Sequence, residues 1–274
     1  MNKLAKAGIA ALGGLGAYAL LLRPRRNHPG WNALSGVRYA HRGLHDMSLG
    51  IPENSLTAFR RAVEHGFGAE LDVHLMADGN LAVVHDSSLL RVCGQNAVIE
   101  DLTLEDLARF PLLGSGENIP LLDEVLAVFE GRTPLVIELK VERGNAVALT
   151  DAVMAKLEGW NGTCCIESFH PGVLLRLKKK YPEVIRGQLS QNFLSGEHTG
   201  MGIAADFIMT HLLTTFLTKP DFVAYNHEHR DNVSLRLMKR AYGVHEAAWT
   251  VRKRETMEAL DREGAVSIFE EFIP

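Results

Sequence analysis

Cysteine is scarce here, with only Cys93, Cys164 and Cys165 in 274 residues. An odd count with two neighbours adjacent makes neither a disulfide framework nor a metal-binding spacing. The fold is therefore not expected to depend on cross-links. Positive charge is not in excess either: 29 lysines and arginines face 33 acidic residues, a formal net charge of -4. That balance argues against a nucleic-acid partner, and Lys178, Lys179 and Lys180 read as the solvated end of a helix. No glycine-rich dinucleotide loop follows the first apolar stretch, which sets aside a nucleotide-dependent oxidoreductase. With 46% hydrophobic and 23% charged residues, the chain has the make-up of one large folded domain.

One uncharged run stands apart, at residues 7–22. Lys3 and Lys6 precede it, and Arg23, Arg25 and Arg26 close it. As a helix it would rise about 24 Å, somewhat short of a hydrocarbon layer of roughly 30 Å. Lysine stems can extend that reach. The run ends without a small-x-small cleavage site, so residues 1–26 are expected to form an uncleaved N-terminal apolar helix anchoring the chain to a membrane. A signal peptide and a soluble helix are the alternatives. The flanking charges are nearly even and leave the orientation open. Residues 27–36 read as a linker and 37–274 as the catalytic domain.

Beyond the linker, short apolar runs alternate with amphipathic stretches. Strands are expected at 37–41, 69–73, 81–85, 134–139, 164–168, 185–189, 222–225 and 246–250. Residues 266–269 are either an extra strand or the closing one. Helices are expected at 55–65, 122–130, 146–158, 171–180, 234–242 and 253–262. Repeated strand–helix units allow a doubly wound sheet or a (β/α)8 barrel. Chemically interesting residues at the ends of several strands favour the barrel. Little more than Leu75 to Asn80 separates the runs at 69–73 and 81–85, too short for a crossover helix.

Two histidines end apolar runs, His41 after 37–40 and His85 after 81–84. Imidazole exchanges protons near neutral pH. Glu70 and Asp72 lie two apart on one strand, so both side chains emerge on one face; Glu138 and Lys140 share the same relation. Carboxylates gathered that way require a cation or a phosphate to complete the charge pattern. An oxygen-rich set suits Mg2+ or Ca2+ better than a soft metal.

The ordered motifs HRG at 41–43, PENS at 52–55, ELDV at 70–73, DG at 78–79, VVHD at 83–86, IELK at 137–140, SF at 168–169 and WTV at 249–251 resemble those of the glycerophosphodiester phosphodiesterase family. The resemblance covers about residues 37–253. It implies an α/β fold, a (β/α)8 TIM barrel with a small insertion at about 87–120. It further implies metal-dependent hydrolysis of glycerophosphodiesters to glycerol 3-phosphate and an alcohol. In that reading His41 and His85 are the general acid and base, and Glu70, Asp72 and Glu138 hold the cation. Arg42 and Lys140 meet the phosphate, and Trp249 packs on glycerol carbons. Glu53 would touch the metal or orient Arg42, and Asp86 would orient His85 or cap the next turn. Glu167 and Tyr225 are candidate lining residues. A glycerol hydroxyl is the implied internal nucleophile, with a directly activated water as the alternative.

This chain departs from the family pattern in three places. Glu167 stands where a serine or similar residue is usual, and Arg252 replaces a frequent asparagine. The segment 264–272 replaces a GxDGIITD-like run, keeping acidity only through Glu270 and Glu271. These changes bear on substrate choice. A membrane-facing lysophospholipase D-like or polyglycerolphosphate hydrolase is the second enzymatic expectation, and a phospholipid-binding module without turnover is the non-enzymatic one.

Overall fold

The computed structural model describes residue 14 and residues 16–26 and 28–274. Eight parallel strands close into a barrel: β1 (Tyr39–Ala40), β2 (Gly68–Leu75), β4 (Leu135–Leu139), β5 (Cys164–Ser168), β6 (Arg186–Ser190), β7 (Phe222–Asn226), β8 (His245–Val251) and β9 (Val266–Phe269). The ring shuts because the two-residue β1 pairs with both β2 and β9. The 266–269 run is thus the closing strand. Residues 81–83 form β3 (Leu81–Val83), which lies antiparallel on β2 and stays outside the ring. That hairpin accounts for the short connection, since antiparallel neighbours need no crossover.

Helices on the outside cover the strands: α1 (Leu56–Glu64), α2 (Leu122–Phe129), α3 (Ala146–Leu157), α4 (Pro171–Lys180), α5 (Ile203–Thr210), α6 (Val233–Tyr242) and α7 (Arg254–Arg262). Their starts are chemically marked. The Ser55 hydroxyl accepts the Ala58 N–H at the head of α1, and Asn232 accepts two backbone N–H groups at the head of α6. Such caps satisfy donors that have no partner inside the helix. The layer between helices and strands is built from Phe59, Leu71, Phe129, Ile137, Leu149, Ile166 and Leu174.

Strand alternation sends the other set of side chains inward. Tyr39, Val136, Cys165, Leu189, Phe222, Ala224 and Ile268 fill the lower barrel. A Cβ on Gly187 would stand 2.2 Å from the Phe222 ring, so only glycine fits opposite that aromatic. The expected linker is part of this packing. Residues 29–33 form a 3-10 turn, with Trp31 stacked on His245 at 4.4 Å and tilted against Phe222 at 5.2 Å. It plugs the floor.

The 87–120 stretch has its own apolar cluster, in which Leu89, Val92, Ile99, Leu107, Phe110 and Leu112 pack on Ala82 and Val84 of the β3 arm. It rises beside the mouth.

The expectation of an N-terminal membrane anchor is overturned. Much of the 7–22 run lies outside the described residues. Among the described residues, no helix is long and apolar enough to cross a membrane. The part that is described docks on the barrel instead. Leu22 is fully buried among Leu212, Val223, Tyr225, Leu235, Met238 and Val244. The Tyr18 hydroxyl pairs with Ser234 Oγ at 2.6 Å, and the Tyr242 hydroxyl donates to the Ala19 carbonyl at 2.6 Å. A short apolar run with one tyrosine finds partners on α6 and β7, and the membrane partner and membrane location inferred from it fall with the anchor.

Candidate active site

The carboxyl ends of the barrel strands converge on a pocket of about 370 Å3 that includes His41, Arg42, Glu70, His85, Glu138 and Lys140 in its lining. Strand register is what gathers the acids. Asp72 on β2 is paired with Glu138 on β4, and Glu138 with Glu167 on β5, so neighbouring carboxylates point into the same mouth. Oxygen atoms of Glu70, Asp72 and Glu138 lie within 4.8 Å of one another, all three residues buried. This donor set is entirely oxygen, the chemistry that suits a hard divalent cation. Desolvation and the charges of Asp72 and Glu138 push the Glu70 carboxyl well above its ordinary pKa. Glu138 is likewise raised, chiefly by burial. Burial also works against ionised Asp72, but Lys140, His85 and Arg42 outweigh it and hold its pKa down. Three buried acids sharing so little positive charge fit a site completed by a cation.

Lys140 follows β4 and places its ammonium 3.2 Å from Asp72 Oδ1 and 3.1 Å from Glu138 Oε1. Arg42 reaches the cluster through an unusual backbone. With φ 54° it occupies the left-handed region. Its N–H donates to Glu70 Oε2 at 3.1 Å while its guanidinium donates to Glu53 Oε1 at 2.9 Å. Gly43 continues the turn at φ 79°, and a Cβ there would meet Ala58 Cβ at 2.9 Å. The HRG motif is thus a tight turn that presses its glycine on α1 and turns its arginine inward.

Glu53 accepts from Arg42 and from both terminal nitrogens of Arg91. Among the described residues its polar partners are these two guanidinium groups, which fits the expected role of orienting Arg42. Asn54 Nδ2 donates to Asp72 Oδ2 at 3.0 Å; this contact within PENS was not foreseen in the sequence.

Both histidines present the same atom to the mouth. His41 Nδ1 donates to Glu270 Oε2, and its Nε2 stands 3.9 Å from Glu70 Oε2. His85 Nδ1 donates to Asp86 Oδ1 at 2.6 Å, and Asp86 is held in turn by Arg91 Nε at 2.6 Å. A carboxylate on Nδ1 fixes the tautomer with the proton there and leaves the Nε2 lone pair free. Burial lowers the pKa of each ring, against the Glu270 bond at His41 and against Asp72 at His85. Glu270 itself is held far below the glutamate range: burial opposes its charge, but His41, His45 and Arg252 prevail.

A second support was also invisible in the motifs. His74, buried on β2, bonds Glu100 Oε1 through Nδ1 at 2.5 Å and donates from Nε2 to the His85 carbonyl at 3.1 Å. Glu100 also accepts from Ser87 Oγ at 2.6 Å, so the 87–120 stretch is stitched to the backbone carrying His85.

Glu167 and Trp249 line the mouth. Glu167 is 2% exposed, and desolvation with the Glu138 charge pushes its carboxyl well up. Trp249 meets Phe169 edge to face at 5.9 Å. Its indole N–H has no acceptor among the described residues. Tyr225 is not at the mouth. Its neighbour Ala224 points inward, so Tyr225 faces the helices, where its hydroxyl donates to the Thr210 carbonyl at 3.0 Å.

Comparison with known proteins agrees with this architecture. The model of the glycerophosphoryl diester phosphodiesterase family matches residues 41–273. A glycerophosphodiester phosphodiesterase of Caldanaerobacter subterraneus is 28% identical over 242 residues, covering 84% of this chain and 91% of its own. Two solved structures share the fold. A phosphodiesterase of Oleispira antarctica, in complex with the product sn-glycerol-3-phosphate, has a TM-score of 0.69 at 21% identity, covering 90% of this chain and 95% of its own. A glycerophosphodiester phosphodiesterase of Thermotoga maritima has a TM-score of 0.64 at 24% identity, covering 85% and 93%. With its motifs gathered at one barrel mouth and the match running from His41 almost to the C-terminus, the chain belongs to the glycerophosphoryl diester phosphodiesterase family and is a phosphoric diester hydrolase.

Proposed function

We propose that this barrel hydrolyses glycerophosphodiesters to glycerol 3-phosphate and an alcohol, with His41 and His85 as the proton-transfer pair and Mg2+ or Ca2+ held by Glu70, Asp72 and Glu138. The observation that carries the reading is the pair of imidazoles with Nδ1 tied to carboxylates, flanking a buried all-oxygen acid cluster. When bound, the cation supplies charge neutralisation at the phosphoryl oxygens. Arg42 and Lys140 add donors for the same oxygens, the guanidinium as a rigid fork and the ammonium as a point charge. One histidine takes the proton of the attacking hydroxyl at Nε2, and the other delivers a proton to the departing alkoxide. Glu270 and Asp86 hold a proton on Nδ1 of each ring, which leaves Nε2 of the base free to accept and stabilises the imidazolium from which the acid gives its Nε2 proton. Trp249 offers an apolar face and one N–H to the glycerol moiety. Turnover of glycerophosphocholine, glycerophosphoethanolamine or glycerophosphoglycerol with either cation supplied is the expected result. Failure with all three, together with absent cation binding, would reject the proposal.

A second substrate reading draws on a slot of about 400 Å3 that shares Glu138, Lys140 and Phe169 with the mouth. Leu139, Val141, Phe193, Met201 and Met209 line it, an apolar wall suited to the acyl chain that a lysophospholipid carries on the glycerol of its glycerol phosphate. Faster turnover of a short-chain lysophospholipid than of glycerophosphocholine supports it, and no turnover of the former removes it.

A further inference from the structure

Arg23, Arg25 and Arg26 have no part in the reaction, and with the anchor gone they also lose their role as flanking charges. They turn onto the barrel floor, at the amino ends of β6 and β7 and away from the catalytic mouth. A pocket of about 440 Å3 opens there, lined by Arg23, Arg25, Arg26, Lys178, Arg186 and Lys219 with Pro24. Every lining residue except the proline is cationic.

The pairing of these charges is lopsided. Asp221 is the carboxylate that answers them among the described residues. Arg25 Nε donates to its Oδ1 at 2.5 Å, and the Arg186 backbone N–H donates to its Oδ2 at 3.0 Å. Arg25 also donates to the Val184 carbonyl at 3.0 Å. That set already fastens the segment to the floor. Among the described residues the other cations meet no carboxylate: Lys178 donates to the Leu217 carbonyl at 2.6 Å, Lys219 to that of Arg23 at 2.8 Å, Arg186 Nε to that of Thr218 at 3.1 Å and Arg26 to that of Ala241 at 2.9 Å. Arg186 is 2% exposed, and its Nη1 meets no acceptor among the described residues. Burial and the neighbouring Arg25 push its guanidinium down to about 10.

A purely structural tether accounts for Arg25 and Asp221 but not for the rest. Arg23, Lys178, Arg186 and Lys219 add mutual repulsion without adding a counter-charge, and an unpartnered buried guanidinium nitrogen is costly. A multiply charged oxyanion removes both costs, because its oxygens accept from guanidinium forks and ammonium groups together. We propose that this floor pocket is a second ligand site, separate from the mouth, that binds a phosphate dianion either free or as a monoester.

Isothermal titration of the full chain in excess chelator tests this, with inorganic phosphate and glycerol 3-phosphate as separate probes. Chelation removes the cation that would draw phosphate to the mouth. The parent is expected to bind one phosphate. Lys140→Gln, which alters the mouth, should keep that affinity. The paired change Lys178→Gln with Lys219→Gln should weaken it by about 100-fold or more, the scale of two lost charged hydrogen bonds, while turnover at saturating substrate stays at the parent level. Arg186→Gln should weaken it as well, and the lysine pair keeps the test decisive if that variant does not fold. Equal affinity for both probes assigns the site to the bare anion; tighter binding of glycerol 3-phosphate assigns it to the ester. No binding of either probe, equal binding by the lysine variant, or loss of binding in Lys140→Gln overturns the proposal.

Discussion

His41 and Glu270 stand 229 positions apart in the chain, and their hydrogen bond spans the seam where β9 closes on β1. The His41 backbone N–H also donates to the Phe269 carbonyl at 2.8 Å. Closing the barrel and orienting the imidazole are therefore one event: the last strand shuts the ring and delivers the carboxylate that fixes the tautomer. The family's usual aspartate-bearing run is replaced in this chain, and a glutamate at its end makes the contact.

If Glu270 orients His41, removing its charge should lower turnover with little change in substrate affinity. Glu270→Gln is expected to reduce kcat by about 10- to 100-fold, below the general acid–base contribution of the histidine itself, with KM nearly unchanged. Steady-state kinetics check this. A kcat equal to the parent would remove Glu270 from the account.

The pH profile gives an independent reading. Burial keeps both histidine pKa values below the ordinary 6.5, and the Glu270 bond is the largest influence raising that of His41. In Glu270→Gln that support weakens, so the limb of the kcat/KM profile set by His41 should move to lower pH. Movement to higher pH, or none, contradicts the assignment.

Cation and stability are linked with a definite sign. The folded-state pKa of Glu70 is raised above 4.5, so the cation-free fold binds more protons than the unfolded chain between that value and the raised one. Its contribution is fully present below about 4.5 and is lost as pH rises through the folded pKa. Cation-free protein at neutral pH should therefore gain from Glu70→Gln, by about 2–4 °C in Tm for each kcal/mol recovered. The same variant should lose most of the Tm increase that Mg2+ or Ca2+ gives the parent. Differential scanning calorimetry with and without chelator decides it, and an unchanged cation response in the variant would exclude Glu70 as a ligand.

Docking of the N-terminal segment predicts a packing cost. Leu22 is fully buried, so Leu22→Ala should destabilise the intact chain by about 2–5 kcal/mol. Denaturant unfolding measures this; a change within about 0.5 kcal/mol, as for a surface site, would mean the segment does not pack there.

What could be read from the sequence was what a local pattern encodes. Apolar runs with helical spacing at 171–180, and motif residues at strand ends such as His41 and Lys140, are properties of short windows. Strand direction is not, so the apolar 81–83 run could pass for a barrel strand until its antiparallel pairing with β2 was visible. Tyr225 shows the same limit at one residue, because a run buried on both faces does not say which face is the mouth. α5 escaped notice because Ile203 and Phe207 are exposed, which blurs the apolar stripe. Glu270, His74 and Glu100 act through partners brought near only by the closed ring and the 87–120 stretch. The 7–22 run looked like a membrane segment because composition reports apolarity without naming what will cover it.

Release of glycerol 3-phosphate from a glycerophosphodiester, followed with cation present for the parent, His41→Ala and His85→Ala, tests the central claim most directly. The parent should turn over, stop on chelation and recover when cation is restored. Each histidine variant should bind the cation as the parent does yet turn over at least about 100-fold more slowly. Parent-level release from either variant, or release that persists in excess chelator, would contradict the account.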